Sequence, residues 1–137
     1  MKPVTRDLFD KARRLLVEAD LMLEVELYEA AGWNAYLAGC CAARALIFED
    51  TNKVPDWHQG LWDDLADALY ERGLNDPVLS AFLPAAYSLK RVADDPRGSP
   101  EIRKVRAEKA VADAKSYVSH IQNVAELPHP SKQSDRW

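Results

Sequence analysis

Long apolar runs, β-branched residues and glycine are scarce in this sequence of 137 residues, and each shortage excludes a class of protein. No run of roughly 18 apolar residues occurs, so we expect no transmembrane helix. Valine, isoleucine and threonine together number 15, whereas alanine and leucine number 36. This excess of strong helix formers over β-branched residues predicts an all-α protein.

Cysteine is equally rare, and the chain lacks the motifs of the common cofactor sites. Cys40 and Cys41 are adjacent, so they cannot close a long loop, and we interpret them as small core residues of a reducing compartment. The N-terminus lacks the apolar stretch of a signal peptide, which favours a cytoplasmic location. There is no glycine-rich phosphate loop and no zinc-binding pattern, so we expect neither a cofactor nor a metal. The net charge of −4 argues against a broad nucleic-acid-binding surface, although a local basic stripe remains open at Arg103, Lys104, Arg106 and Lys109.

The apolar residues recur at helical spacing through most of the chain. We predict one domain over residues 1–127, an up-and-down bundle of about five antiparallel helices, and a flexible tail over 128–137. Thr5 and the Asp56–Gln59 pair are the predicted caps of the first and third helices, and Pro84 predicts a kink or a later start in the fourth. The predicted helices run from Thr5 to Leu27, Ala31 to Glu49, Asp56 to Gly73, Asp76 to Asp94, and Ser99 to just before Pro128.

Arg44 is the one charged residue between Trp33 and Phe48, in a helix that is otherwise apolar on nearly every face. Burying an unpaired guanidinium is very costly, so we expect an acidic partner or an anionic ligand. Asp94 is the first choice of partner, with Asp63 and Asp67 as alternatives. Two interpretations stay open: an ion pair that ties two helices together, or a site for a phosphate or another anion.

Three kinds of side chain could accompany Arg44. Tyr36, two turns earlier, is either a core tyrosine or part of the same site. His58, at a helix start, is either a surface residue or an acid–base or RNA-contacting group. Trp57 and Trp62 fit core or dimer surface better than a base-stacking platform, because no basic residue lies between them.

These residues resemble the small bacterial HEPN-domain proteins, a family of all-α bundles, over about residues 8–125. The family's second helix, its His-x-Gly and the end of its fourth helix have counterparts here. Where the family has arginine, tyrosine, arginine and tyrosine, this chain has Asn34, Leu37, Lys90 and Asp95. The matching stretches are Ala31, Asn34, Ala35, Tyr36, Leu37, Ala38, then Ala42, Ala43, Arg44, Ala45, Leu46, then His58-Gln59-Gly60, then Leu89, Lys90, Ala93, Asp94, Asp95.

The resemblance implies a binding module, with Arg44 and Asp94 at its site and Tyr36, Asn34, His58 and Lys90 around them. Ribonucleases of the wider superfamily carry an arginine four to six residues before a histidine, and none precedes any histidine here at that spacing. We therefore expect a non-catalytic homodimer that binds a nucleotidyltransferase partner in a toxin–antitoxin or defence system, and a nucleotide or RNA. The alternatives are a diverged ribonuclease toxin that uses Arg44, His58 and Lys90, and a structural homodimer without a ligand.

Overall fold

The computed structural model describes residues 1–56, 58–93 and 98–130, and it confirms the all-α class. Five helices and no strand occur among these residues. The helices are α1 (Pro3–Glu24), α2 (Tyr28–Thr51), α3 (His58–Glu71), α4 (Pro77–Ala93) and α5 (Pro100–Glu126). The predicted end of the fourth helix at Asp94 lies outside the described residues, and of the predicted tail only 128–130 are described, so its flexibility stays a prediction.

Helices α1, α2, α4 and α5 alternate in direction, as an up-and-down bundle requires. α1 runs antiparallel to both α2 and α5, and α4 runs antiparallel to α2 and α5. The contacts show this, since the residue numbers in contact decrease along one helix as they increase along the other. The contact pairs are Lys2 with Glu49 and Asn34 with Glu18 between α1 and α2, Arg13 with Gln122 and Asp20 with Lys115 between α1 and α5, and Tyr36 with Tyr87 and Gly39 with Phe82 between α2 and α4.

Helix α3 departs from this alternation. Tyr36, two turns into α2, contacts Trp62 in the first half of α3, and Asp50 near the end of α2 contacts Arg72 just after α3, so α3 follows α2 in nearly the same direction. The connection must therefore travel back along α2, and Arg44 hydrogen-bonds the carbonyl of Pro55 on that return path. The consequence is that the start of α3 lies beside the middle of α2 instead of beyond its end.

The first helix begins two residues earlier than predicted, and Thr5 is not its cap. Lys2 is the N-cap residue and makes no side-chain capping bond. Instead, Glu49 of α2 accepts the Lys2 backbone N–H at 3.0 Å and the Thr5 hydroxyl at 2.6 Å. Burial raises the pKa of the Glu49 carboxyl, but the bonds from Thr5 and Lys2 outweigh it and hold that pKa below its ordinary value.

Helix α2 also begins earlier than predicted, at Tyr28. The break lies at residues 25–27, where Glu26 adopts a left-handed conformation (φ 64°) and Leu27 donates its N–H to the Met22 carbonyl at 2.8 Å. This is the Schellman ending that glycine usually supplies. At the end of α3, Gly73 (φ 77°) makes the same turn, and there the predicted boundary is confirmed.

The two predicted proline-led helix starts are confirmed. Pro77 and Pro100 are the first residues of α4 and α5, and their caps Asp76 and Ser99 accept backbone N–H groups at 2.9 and 3.2 Å. Pro84 lies inside α4, so the helix does not start later. The third helix begins at His58, two residues after the predicted Asp56.

Helix α2 is the centre of the bundle and contacts all four other helices. Fourteen of its residues are buried, and many are small, which lets the neighbouring helices approach. The approach is closest at Gly39, where an added Cβ would lie 2.9 Å from the Phe82 ring and 3.0 Å from Leu83. Among the described residues, no helix is both long and apolar enough to cross a membrane.

Candidate functional site

Arg44 lies on one face of α2 with Tyr36 and Cys40, which precede it by two turns and one turn. The side chain is half-buried, not enclosed. Its Nε donates to the Pro55 carbonyl at 3.0 Å, and its Nη2 lies 3.5 Å from the Asp56 carbonyl. These bonds hold the returning connection against α2 just before α3 begins.

The predicted ion pair of Arg44 is not observed in the part of the chain that the structure describes. Asp94, the first choice of partner, lies outside it. Asp63 and Asp67, the alternatives, make no salt bridge with Arg44 among the described contacts. Among the described residues, the guanidinium donates to two carbonyl oxygens, which are neutral and so supply no compensating negative charge.

An aromatic cluster lies beside this face, formed by Trp33, Tyr36, Trp62 and Tyr87. Tyr36 is fully buried at its centre, with ring centroids 5.7 Å from Trp33 and 5.3 Å from Tyr87. Trp62 and Tyr87 meet edge to face at 6.0 Å. Trp62 also donates its Nε1–H to the Tyr36 hydroxyl at 3.2 Å. The cluster joins α2, α3 and α4, and its three outer rings are partly buried and pack against the hydrophobic core, which agrees with the interpretation of Trp62 as a core residue.

Burial suppresses ionisation of the polar groups in the middle of this face. It raises the pKa of the Cys40 thiol to about 11, and the Tyr36 hydrogen bond and the Arg44 charge offset only part of that rise. Burial and the neighbouring Cys40 likewise place the pKa of Tyr36 well above its ordinary value. Both cysteines are buried and unbridged, which agrees with their interpretation as core residues. Neither the Cys40 thiol nor the Tyr36 hydroxyl is prepared to act as a base or a nucleophile at neutral pH.

The remaining predicted site residues do not all come together. Asn34 is buried against α1, where its amide donates to the Glu18 carboxylate at 3.2 Å and lies 3.4 Å from the Leu15 carbonyl. It therefore ties α1 to α2 and lies away from the aromatic cluster. His58 is the first residue of α3, two residues after Asp56, and Lys90 follows Tyr87 by three residues in α4. Their backbones thus flank the cluster.

The buried ion pair of the bundle is one that the sequence analysis missed. Arg72 and Asp50 form a bidentate pair, with both N–O distances at 2.7 Å and side chains only 4% and 3% exposed. Arg72 also donates to the carbonyls of Val124 and Leu127 at 2.8 and 2.9 Å. One guanidinium therefore connects α2, α3 and the end of α5. Helical spacing could have found it, because Arg72 continues the stripe of Leu61, Leu65, Ala68 and Leu69.

An open pocket of about 490 Å³ lies over this pair. Its walls include Arg6, Glu49 and His129, whose Nε2 is 3.9 Å from the Asp50 carboxylate. Because Asp50 and Arg72 already satisfy each other, we interpret this region as structural. No group of three or more histidine, cysteine, aspartate or glutamate side chains that could hold a metal occurs among the described residues.

Comparison with known proteins agrees with this architecture. No curated protein matches the chain significantly. The model of the HEPN domain matches residues 5–124, which include all five helices almost completely and the whole of the Arg44 face and the aromatic cluster. This match indicates a function related to nucleotides or RNA. With most of its length matched by that model, the chain belongs to the HEPN-domain family.

Proposed function

We propose that this protein is a non-catalytic HEPN binding module that holds a nucleotide or an RNA segment through Arg44 and the aromatic cluster. The observation that carries the proposal is the state of Arg44. Its guanidinium is half-buried and held by two neutral carbonyls of the returning connection. Such a group is already positioned and partly desolvated, so an incoming phosphate would gain a charge-assisted bond with little loss of side-chain entropy.

The aromatic cluster supports a nucleic-acid ligand rather than a simple anion. Trp33, Trp62 and Tyr87 are partly exposed, and a base can stack on any aromatic face. Arg44 would supply the positive charge that the sequence does not place next to Trp62, since it lies two turns after Tyr36 on α2 and Tyr36 contacts Trp62. The two halves of a nucleotide would thus meet matching chemistry on one surface.

Binding without cleavage is favoured by the protonated state of Cys40 and Tyr36 and by the lack of the arginine–histidine spacing of the ribonucleases. Cys40 and Tyr36 stay protonated at neutral pH, and no histidine of the chain follows an arginine at the spacing of the ribonuclease members. A module that only binds needs a partner to act, and we propose a nucleotidyltransferase, as the family resemblance implies. Incubation with such an enzyme and a labelled nucleoside triphosphate, followed by gel filtration, tests for both complex formation and label transfer.

The binding proposal is tested with a fluorescent single-stranded RNA and a fluorescent ATP analogue, followed by anisotropy. Arg44→Ala is expected to weaken binding at least about tenfold, because a lost charge-assisted bond is worth roughly 1.5–3 kcal/mol. It should also lower the salt dependence of RNA binding by about one ion. Arg14→Ala, an exposed arginine on α1, is the matched control and should change affinity little. Equal affinity of Arg44→Ala and wild type for both ligands would refute the proposal.

The second candidate is a diverged ribonuclease, and one contact favours it. Arg44 fixes the backbone carbonyls just ahead of His58, so the two residues that such an enzyme would use are structurally linked. RNA cleavage in EDTA by wild type, Arg44→Ala, His58→Ala and Lys90→Ala distinguishes the candidates. Cleavage that disappears in the first two variants establishes the ribonuclease. Absent cleavage, or equal cleavage in all four proteins, leaves the binding module.

A further inference from the structure

A cavity of about 490 Å³ opens between α4 and α5, away from the side chains of the proposed nucleotide site. Its lining comes from one stretch of α4, residues 78–85, and one stretch of α5, residues 113–120, and most of it is apolar. Cavities of roughly 300–1,000 Å³ with apolar walls and a few polar groups are the usual form of a small-molecule site, and they often lie between the helices of a bundle. The size and the lining of this cavity therefore suit a small molecule.

One wall of the cavity is Tyr117, whose hydroxyl is the unexplained polar group of this region. The residue is only 4% exposed, and its hydroxyl is buried without a hydrogen-bond partner among the described residues. Most buried hydroxyl groups are paired, because leaving one unpaired costs free energy. Burial also raises the pKa of Tyr117 far above its ordinary value, so the hydroxyl keeps its proton and can donate a hydrogen bond. A ligand that carries an acceptor would satisfy it.

Phe82 connects the cavity with Tyr117. The Phe82 and Tyr117 rings are stacked, with centroids 4.0 Å apart and planes only 11° from parallel, and both residues line the cavity. Phe82 is partly exposed, whereas Tyr117 is buried. Aromatic rings pack favourably on one another in offset or edge-to-face arrangements. The stack is therefore the surface that an aromatic ring would meet on entering the cavity.

The charges around the cavity favour an uncharged ligand. No lysine or arginine lines it, so a phosphate would find no counter-ion there. The one carboxylate of its lining, Asp113, is paired with Lys109 at 2.9 Å, so a cationic ligand would compete with a bond that is already made. The other polar lining residues, Ser116 and His120, are exposed. The cavity thus differs from the Arg44 site in the ligand chemistry that it accepts.

We propose that this cavity binds a flat, uncharged aromatic molecule with a hydrogen-bond acceptor, and that the Tyr117 hydroxyl donates to that acceptor. The ligand moves the partly exposed Phe82 ring aside, because this ring covers one face of Tyr117. Burial of the ligand between the apolar walls supplies most of the affinity. The hydroxyl supplies the preference for an acceptor, since it stays unpaired against a purely apolar ligand. The cavity shares no lining residue with the Arg44 face or the aromatic cluster, so either proposal can fail without the other.

The test uses two probes of the same shape, β-acetylnaphthalene and β-isopropenylnaphthalene, which differ only in the replacement of a carbonyl oxygen by a methylene group. Titration of each probe into the isotope-labelled full chain, followed by NMR, gives its Kd and locates the perturbed backbone amides. In Tyr117→Phe we expect the Kd of the ketone to rise about five- to tenfold, and the Kd of the hydrocarbon to change by less than about twofold. Tyr70→Phe, at a tyrosine of α3 that is 75% exposed, is the matched control and should change neither Kd.

A second variant tests the cavity itself. Ala85→Trp places a large ring at an exposed position of the lining, so it should abolish binding of both probes and leave the buried core intact. Tyr117→Phe removes an unpaired hydroxyl, so it should be at least as stable as wild type in urea unfolding. Three results would overturn the proposal: neither probe binds wild type, the perturbed amides lie outside residues 78–85 and 113–120, or Tyr117→Phe affects the two probes equally.

Discussion

Removal of the Arg72 guanidinium is expected to be the most damaging single change in the bundle. The substitution Arg72→Met keeps most of the apolar stem but removes the bonds to Asp50, Val124 and Leu127. Asp50, whose side chain is 3% exposed, then loses its bidentate partner and stays buried with the His129 imidazole 3.9 Å away. Breaking a buried pair in this way costs roughly 3–5 kcal/mol. That is a large part of the 5–15 kcal/mol or so that holds a typical domain folded.

The double variant Arg72→Met/Asp50→Leu separates the cost of the orphaned charge from the value of the pair. With both charges gone, no carboxylate is left buried, so we expect the double variant to recover most of the loss. The carbonyls of Val124 and Leu127 still lose their donor, so recovery should fall short of wild type by about 1–2 kcal/mol.

Urea unfolding followed by circular dichroism measures all four free energies of the cycle. The surface pair of Arg13 with Asp10 is the control, because both side chains are about half exposed and Asp10→Ala should cost well under about 1 kcal/mol. A loss below about 1 kcal/mol in Arg72→Met, or a double variant as unstable as the sum of the single ones, would refute this account of the pair.

Two further predictions concern residues of α2. Gly39→Ala should lower the free energy of unfolding by about 1 kcal/mol, because the added Cβ would lie 2.9 Å from the Phe82 ring. Gly32→Ala should raise it by about 0.5–1 kcal/mol, because an added Cβ meets nothing within 4 Å there. If urea unfolding showed that both substitutions change the free energy of unfolding in the same direction, the packing argument would be contradicted. Thr5→Val should cost about 1.5 kcal/mol at neutral pH. Because the folded pKa of Glu49 is depressed, its stabilising contribution is present above the ordinary value of 4.5 and is lost as pH falls through the folded pKa. The cost of Thr5→Val should therefore shrink in acid, and a cost that does not depend on pH would refute the role of Glu49.

The helix count and class followed from the sequence because apolar spacing and proline-led starts are local signals. Proline has a fixed φ and no backbone N–H, and both properties suit the first turn of a helix. Pro77 and Pro100 therefore mark helix starts, and both starts are confirmed. Gly73 gave the end of α3 for a similar reason. The end of α1 was misplaced because Glu26 takes the left-handed position there, and nothing in a glutamate signals that conformation.

Tertiary capping was beyond the reach of local reasoning. Thr5 has the composition of an N-cap, yet its hydroxyl donates to Glu49, which is 44 residues away. The same carboxylate also takes the orphan N–H of Lys2, so a residue at the end of α2 caps the start of α1. A single sequence carries no signal for a cap that comes from another helix. The predicted start of α1 was therefore placed at Thr5, the nearest residue of a type that commonly caps helices.

The direction of α3 explains why two backbone carbonyls contact Arg44, whereas its predicted pair with Asp94 stays a prediction because Asp94 lies outside the described residues. The sequence predicts an acidic partner or an anionic ligand for this guanidinium, because burying it unpaired is very costly. Since α3 follows α2, the connection returns along α2 and presents the carbonyls of Pro55 and Asp56 to Arg44. The same return brings Trp62 to Tyr36, which assembles the aromatic cluster next to the charge. One feature of topology thus supplies Arg44 with two backbone carbonyls as hydrogen-bond partners and brings Trp62 to Tyr36, two turns before Arg44 on α2.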